Sequence, residues 1–264
     1  MDLGLQGKRA VVTGSTAGIG FAIAAALAEE GADVVVNGRT EARVAEALRQ
    51  LRARIPGARV EGVAADLGTA EGAARVIAAA PDADVLVNNV GIFEAKAFAE
   101  IPDADWSRIL EVNLLSGVRL SRHHLTRMLA RGAGRILFIS SESALQIPAE
   151  MIHYGVTKTA QLGLARGLAE LTRGTAVTVN AILAGPTRSE GVGAFVESLA
   201  RHRGQEVAVV EREFFRDARP TSLLQRFETT EEIAAFVAFV ASERASAVNG
   251  AALRVDGGVV RAIA

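Results

Sequence analysis

The sequence contains no cysteine, which removes disulfides and thiolate metal sites from consideration and fits a reducing compartment. No apolar run reaches the roughly 20 residues that a membrane-spanning helix needs, although half of all residues are hydrophobic. Met1 to Lys8 lacks the basic-then-apolar pattern of a secretory signal. Positive charge is not in excess either. The 29 Lys and Arg face 30 Asp and Glu, a formal net charge of −1, so there is no general electrostatic footprint for nucleic acid or an anionic membrane. No Pro/Ser-rich linker, internal repeat or low-complexity tract divides the 264 residues, a length that one α/β domain can fill. These exclusions make a cytoplasmic protein, a single domain over 1–264, the expectation.

Two residue types are scarce, and they meet. Tyr154 is the only tyrosine, and Lys158 is one of three lysines beside Lys8 and Lys96. On a helix, residues four apart lie on one face, roughly 5–6 Å apart at Cβ. An ammonium at that distance is expected to lower a phenol's pKa by about two units from its usual value near 10, toward the range of acid–base catalysis. His153-Tyr154-Gly155-Val156-Thr157-Lys158 is therefore the first candidate for chemistry.

At the other end, Arg9 to Thr13 is a short apolar run that stops at Gly14-Ser15-Thr16-Ala17-Gly18-Ile19-Gly20. An Ala/Leu-rich stretch follows, closed by Gly31, and Asp33 to Val36 reads as a second strand. Strand, glycine turn, helix and strand form a βαβ unit of about 30 residues. The glycines let the turn tighten and let backbone N–H groups approach a pyrophosphate at the helix N-terminus, where the dipole favours an anion. Gly14, Ser15, Thr16, Gly18, Ile19 and Gly20 are the candidate contacts. The second strand ends at Asn37-Gly38-Arg39, with no acid to hold a ribose 2′-hydroxyl. Arg39 suits a 2′-phosphate through a charge-assisted contact, which favours NADP(H), with NAD(H) as the alternative.

Further strands are expected at Arg59–Ala64, Asp84–Val87, Gly134–Ser140, Ala176–Leu183 and Gly250–Val255, with helical patterns between them. Long helices are expected over Asp105–Leu129 and Met151–Leu171. The alternation implies one doubly wound α/β domain with a parallel sheet of about seven strands. Glu190 to Phe227 is less regular, with helical runs at Val192–Leu199 and Glu206–Phe215. His123 and His124 are adjacent on a helix, so they diverge by about 100° and do not chelate a metal.

Thr13-Gly14-Ser15-Thr16-Ala17-Gly18-Ile19-Gly20, with Asn88-Asn89-Val90-Gly91, Glu111-Val112-Asn113-Leu114, Ser141 thirteen residues before Tyr154, Lys158, and Asp256-Gly257-Gly258, resembles the short-chain dehydrogenase/reductase family. The first motif fits that family's T-G-x-x-x-G-I-G without a gap, whereas its usual second basic residue for NADP is here Ala17, and its usual Pro-Gly is Ala184-Gly185. The resemblance implies a Rossmann-like fold and a catalytic set of Asn113, Ser141, Tyr154 and Lys158. In that set Lys158 also holds the nicotinamide ribose, and Asn113 distorts its helix and holds a relay water. It further implies cofactor contacts at Asp66 and Leu67, at Asn88 and Gly91, and along Gly185, Thr187 and Ser189, with Tyr154 and Lys158 at the nicotinamide end. Residues 186–228 would be the substrate lid, and the long helices would pack against partner subunits in a homodimer or homotetramer.

The expected reaction is interconversion of an alcohol and a carbonyl. A catalytically silent cofactor-binding sensor is the alternative from another class, and the four-residue set argues against it. Ile147, Met151, His153 and Phe214-Phe215 point to a partly apolar pocket, while Arg188, Arg216 and Arg219 could serve an acidic substrate group.

Overall fold

The computed structural model describes residues 1–263, with Phe195 through its backbone only. Seven strands form one parallel sheet in the order β3-β2-β1-β4-β5-β6-β7. They are β1 Arg9–Val12, β2 Asp33–Gly38, β3 Val60–Ala64, β4 Val85–Asn88, β5 Ala133–Ser141, β6 Ala176–Ala184 and β7 Ala252–Val255. The helices are α1 Gly18–Glu29, α2 Glu41–Arg54, α3 Ala70–Ala79, α4 Asp103–Leu110, α5 Ser116–Arg131, α6 Ile152–Glu170, α7 Glu190–Arg203, α8 Val207–Asp217 and α9 Thr230–Ala241. None is long and apolar enough to cross a membrane among the described residues.

The strands are continuously apolar because both faces of the sheet are covered. Ala10 and Val12 of β1 join one core with residues of α1, α2 and α9, whereas Val11 joins the other with α3, α5 and α6. Leu137 and Ile139 against Ile136 and Phe138 repeat the split on β5. The chain runs outward from β1 to β3, then returns to place β4 beside β1. This reversal leaves a crevice at the C-terminal strand ends, where ligands bind in open α/β sheets.

The expected boundaries hold to within a few residues, and Thr40, Thr69 and Thr229 cap α2, α3 and α9. The stretch 105–129 carries the distortion that the resemblance implies at Asn113. Its start is α4, its end is α5, and Glu111–Leu115 between them is a π-helical turn with Asn113 buried in it. An asparagine amide competes for backbone hydrogen bonds, and here its partners lie outside the helix, so the turn widens around it.

His124 is fully buried on α5, and neither of its ring nitrogens has a hydrogen-bond partner. Burial pushes its pKa down to about 4, with His123 adding repulsion. A depressed histidine is neutral in the fold and charged when unfolded, so it destabilises as pH falls below about 6.5, and the loss is complete near pH 4. The shift corresponds to about 3 kcal/mol at full expression. His124→Leu is expected to flatten acid denaturation over that window, as read by urea midpoints at several pH values. Parallel curves for both proteins would contradict it.

Candidate active site

The glycine turn is built as a cradle. Gly14 and Gly18 take left-handed φ values of 59° and 57°, which favour residues without Cβ. A Cβ on Gly20 would lie 2.4 Å from both the Gly14 carbonyl and the Asn89 amide. Ala17 caps α1 with a methyl group that makes no cap hydrogen bond, so the first-turn N–H groups have no side-chain acceptor from the cap. An anionic pyrophosphate fits this arrangement. Thr16 lies against Gly38, where a Cβ would approach its methyl group to 2.4 Å. Ser15 differs from its expected part as a contact. Its hydroxyl donates to the Val12 carbonyl at 2.6 Å and accepts from Asn37 N–H at 3.0 Å, and its own N–H donates to the Asn37 carbonyl. Both donors of Ser15 are thus spent inside the fold.

Two further residues hold the cradle. Asn37 is buried, accepts from Gly14 N–H at 3.2 Å and donates to the carbonyls of Val63 and Ala65. Asn89 donates to the carbonyls of Thr13 and Gly14, and its N–H meets the Thr13 hydroxyl at 2.8 Å, tying the turn to the end of β4. Sequence reading quoted both residues without a role. Asn88 is turned to α5, where it donates to Ser121 at 3.1 Å.

Arg39 is exposed at the end of β2, and no ion pair involves it among the described residues. Asp66 accepts from Gly68 N–H at 3.0 Å, leaving the helix cap to Thr69, and Leu67 is buried in the core.

Toward β5 the expected catalytic residues converge. Asn113 accepts from Ile92 N–H at 2.8 Å and donates to the Ile92 carbonyl and to Thr157 on α6. Its own carbonyl accepts from Gln161. The side-chain amide therefore pins the loop after Gly91 to α6. A Cβ on Gly91 would stand 3.5 Å from the Asn113 oxygen and from Lys158 Nζ, so Gly91 opens directly onto the lysine. Lys158 is buried, and its Nζ donates to the Ile139 carbonyl at 2.8 Å and lies 5.6 Å from the centre of the Tyr154 ring. An ammonium has three donors, so two are left for other partners such as ribose hydroxyls. Ser141 ends β5, opposite Ala184 on β6.

The electrostatics overturn the simple pairing expected from spacing. Tyr154 is not depressed by its neighbour. Burial pushes the phenol up to about 12, the Ser141 hydrogen bond pulls it down, the Glu142 charge raises it and Arg219 lowers it. Burial also pushes Lys158 down to about 8. Loss of water penalises phenolate and ammonium alike, and it outweighs their mutual attraction.

Three expectations for the substrate side also change. Phe214 and Phe215 do not line a pocket. They stack with Phe227 at centroid distances of 5.0–5.1 Å and form a small core with Val196, Ala200 and Val210. His153 is buried beneath Trp106, with rings 5.9 Å apart, since it points back from α6 onto α4. The three arginines are already paired: Arg188 with Glu211, Arg216 with Asp217, and Arg219 with Glu142. Beside the site, a cleft of about 430 Å³ is lined by Gln146, Ile147, Glu150, Asp217 and Arg219 among others. Phe93 is exposed and meets the Tyr154 ring edge-on at 6.2 Å.

The loop after β6 is held from below. Gly185 N–H donates to the Val255 carbonyl and to Glu228, and a Cβ there would lie 2.7 Å from the Asp256 backbone. The Thr187 hydroxyl donates to the Gly185 carbonyl. Ser189 caps α7 and stands over Gly18, where an added Cβ would lie 3.3 Å from the Ser189 Cβ, so this loop closes on the glycine turn. Glu228, not singled out from sequence, bridges the segment. Burial pushes its carboxyl up to about 7.

The family model for short chain dehydrogenase matches residues 8–200. The chain is 49% identical over 263 residues to the uncharacterized oxidoreductase YvaG of Bacillus subtilis, covering 100% of both. It is 35% identical to a D-beta-hydroxybutyrate dehydrogenase of Cupriavidus necator, covering 97% of this chain and 99% of the other. The crystal structure of L-sorbose reductase from Gluconobacter frateurii, complexed with NADPH and L-sorbose, superposes with a TM-score of 0.93 at 34% identity, covering 100% of both chains. The chain belongs to the short-chain dehydrogenase/reductase family and is an NAD(P)-dependent oxidoreductase of the CH–OH/C=O class.

Proposed function

We propose that this chain is an NADP(H)-dependent reductase of a neutral, hydroxylated ketone, and that Ser141, Tyr154 and Lys158 carry the proton-transfer half of the reaction. The observation that carries the reading is Lys158 Nζ at 5.6 Å from the Tyr154 ring, beside the opening at Gly91, with Ser141 at the end of β5. NADP(H) supplies or accepts the hydride at the substrate carbon. Tyr154, pushed up to about 12, is protonated at neutral pH and is poised to give its proton to the carbonyl oxygen. Ser141 hydrogen-bonds and positions that oxygen. Lys158 holds the nicotinamide ribose with its remaining N–H donors and adds positive charge near the phenol. Asn113 positions the loop that carries Gly91, and its carbonyl is the site for a relay water. On the adenosine side, the N–H groups of the glycine turn hold the pyrophosphate, Asp66 faces the adenine, and Arg39 takes the 2′-phosphate.

Residues 186–228 act as the substrate lid. A neutral substrate is favoured because Arg188, Arg216 and Arg219 are already paired with Glu211, Asp217 and Glu142, the last of these pairs being buried. The NADPH and L-sorbose bound by the reductase of 0.93 TM-score are consistent with that choice. The enzyme is read as cytoplasmic and homo-oligomeric, a dimer or tetramer, with exposed Val156 and Leu171 of the α6 region available to a second copy.

A panel followed at the nicotinamide absorbance tests this, with both cofactors, neutral ketoses and polyols, and the anionic 3-hydroxybutyrate/3-oxobutyrate pair. A kcat/KM at least tenfold higher for the neutral compounds with NADP(H) is expected. A preference for the anion, or for NAD(H), contradicts the respective part. Tight cofactor binding without turnover of any compound would revive the silent sensor.

A further inference from the structure

Next to Ser141 lies a charged residue that the reaction does not call for. Glu142 is 3% exposed, and its carboxylate is surrounded by donors. Oxygen Oε2 accepts from the Ser141 hydroxyl, from the Ser143 hydroxyl at 2.9 Å and from Ser143 N–H at 2.6 Å. Oxygen Oε1 accepts from Arg219 Nε at 2.8 Å. Arg219 comes from the far side of the chain, just after α8. Its side chain is 10% exposed, and it sits over the Phe214 ring at 5.8 Å, with Glu150 3.9 Å away. Phe214 in turn stacks on Phe227. The aromatic core of the segment thus fixes a guanidinium, the guanidinium fixes a carboxylate, and the carboxylate holds the hydroxyl beside Tyr154.

We propose that Glu142 and Arg219 are positioning residues for the Ser141–Tyr154 pair, so that the seating of segment 186–228 sets the orientation of the Ser141 hydroxyl and the charge balance around the phenol. A carboxylate can only accept, so the Ser141 proton points to Glu142. Ser143 N–H takes one Ser141 lone pair at 3.1 Å. One lone pair remains to accept from the phenol or from a substrate hydroxyl, and donation to a substrate carbonyl oxygen requires the Ser141 proton to turn from Glu142. A device of this kind ties proton transfer to closure of the segment, because a displaced Arg219 would leave a buried carboxylate unpaired, a costly state. The inference rests on the reading of Ser141 and Tyr154 as the reacting pair.

The charged groups facing Tyr154 are Glu142 at the end of β5, Arg219 after α8 and Lys158 on its own helix, with Glu150 behind Arg219. Removing the negative one should ease ionisation of the phenol, and removing the positive one on the lid side should hinder it. Tyr154 is the sole tyrosine, so phenolate absorbance of the whole protein reports this residue alone.

Glu142→Gln is expected to move the Tyr154 titration, and the pH profile of alcohol oxidation, down by about one pH unit. Arg219→Met is expected to move both up by a similar amount, whereas Arg219→Lys stays near wild type. Both charge-removing variants should lose about tenfold in kcat, with cofactor KM unchanged. Shifts in the same direction, or activity loss with no shift, would overturn the proposal. If Glu142→Gln does not fold, the contrast between Arg219→Lys and Arg219→Met decides. Tyr154→Phe separates the two levels: if it retains turnover, the site reading itself fails, whereas if it is inactive and the titrations do not move, only this inference fails.

Discussion

Replacing Tyr154 by phenylalanine is expected to lower kcat by about 10²–10⁴-fold, the usual worth of a positioned general acid, while cofactor affinity stays within about twofold. The ring that meets Phe93 edge-on at 6.2 Å is retained in the variant, so packing changes little. Only the proton is lost. Single-turnover absorbance and a cofactor-binding titration read the two quantities separately. The pH dependence follows from the same surroundings. A phenol pushed up to about 12 stays protonated across neutral pH, so carbonyl reduction should be flat there. Lys158, pushed down to about 8, loses its charge above that value, and reduction should decline on that limb. Alcohol oxidation needs the phenolate and should rise with pH until the lysine charge is lost. A variant retaining most of its activity, or a reduction rate that falls from pH 6 to 7, would remove Tyr154 from the role of acid.

The fold was legible because its signals are local. Apolar runs ending at glycine and the alternation of strand and helix gave the elements to within a few residues. The candidate site stood out in the sequence because Tyr154 and Lys158 are rare in this chain and four apart. What sequence did not yield is long-range. The Glu142–Arg219 pair joins positions 77 apart, and Asn89 reaches Thr13 across 76, so no spacing rule exposes either contact. Phe214 and Phe215 misled because an apolar pair looks the same whether it faces a ligand or a third aromatic, and Phe227 is the partner. The ionisation of Tyr154 misled for a different reason. Spacing reports the attraction between two charges, but not the water that both lose, and desolvation is the larger effect here. Ser15 illustrates the same limit, since a motif gives a residue's position but not which way its hydroxyl turns.

Arg39→Ala is expected to weaken NADPH binding by about 10–100-fold, equivalent to about 1.5–3 kcal/mol for a charge-assisted contact. NADH affinity should change by less than about twofold, since only the 2′-phosphate is addressed. Arg39 is exposed at the end of β2, and Gly38 before it lies against Thr16, so Arg39 stands beside the rim of the glycine turn. The absence of a basic residue at Ala17 leaves this position with more of the task than a two-arginine site would give it. Arg43, one turn along α2, is the nearest auxiliary, but it is paired with Glu190 of α7 at 3.4 Å, an exposed contact. Such pairs are worth little, so a phosphate could draw Arg43 away from Glu190 at small cost. Arg43→Ala alone should therefore cost NADPH only a few-fold, and in the Arg39→Ala background it should cost more than it does alone. Higher salt should weaken NADPH binding to the wild type more than to Arg39→Ala, because the difference between them is an exposed charge pair. Titrations of both cofactors against the four proteins at two salt concentrations measure all of this. Equal loss of NADPH and NADH in Arg39→Ala would mean that the arginine serves the adenosine half in general, and that the preference for the phosphorylated cofactor has another source.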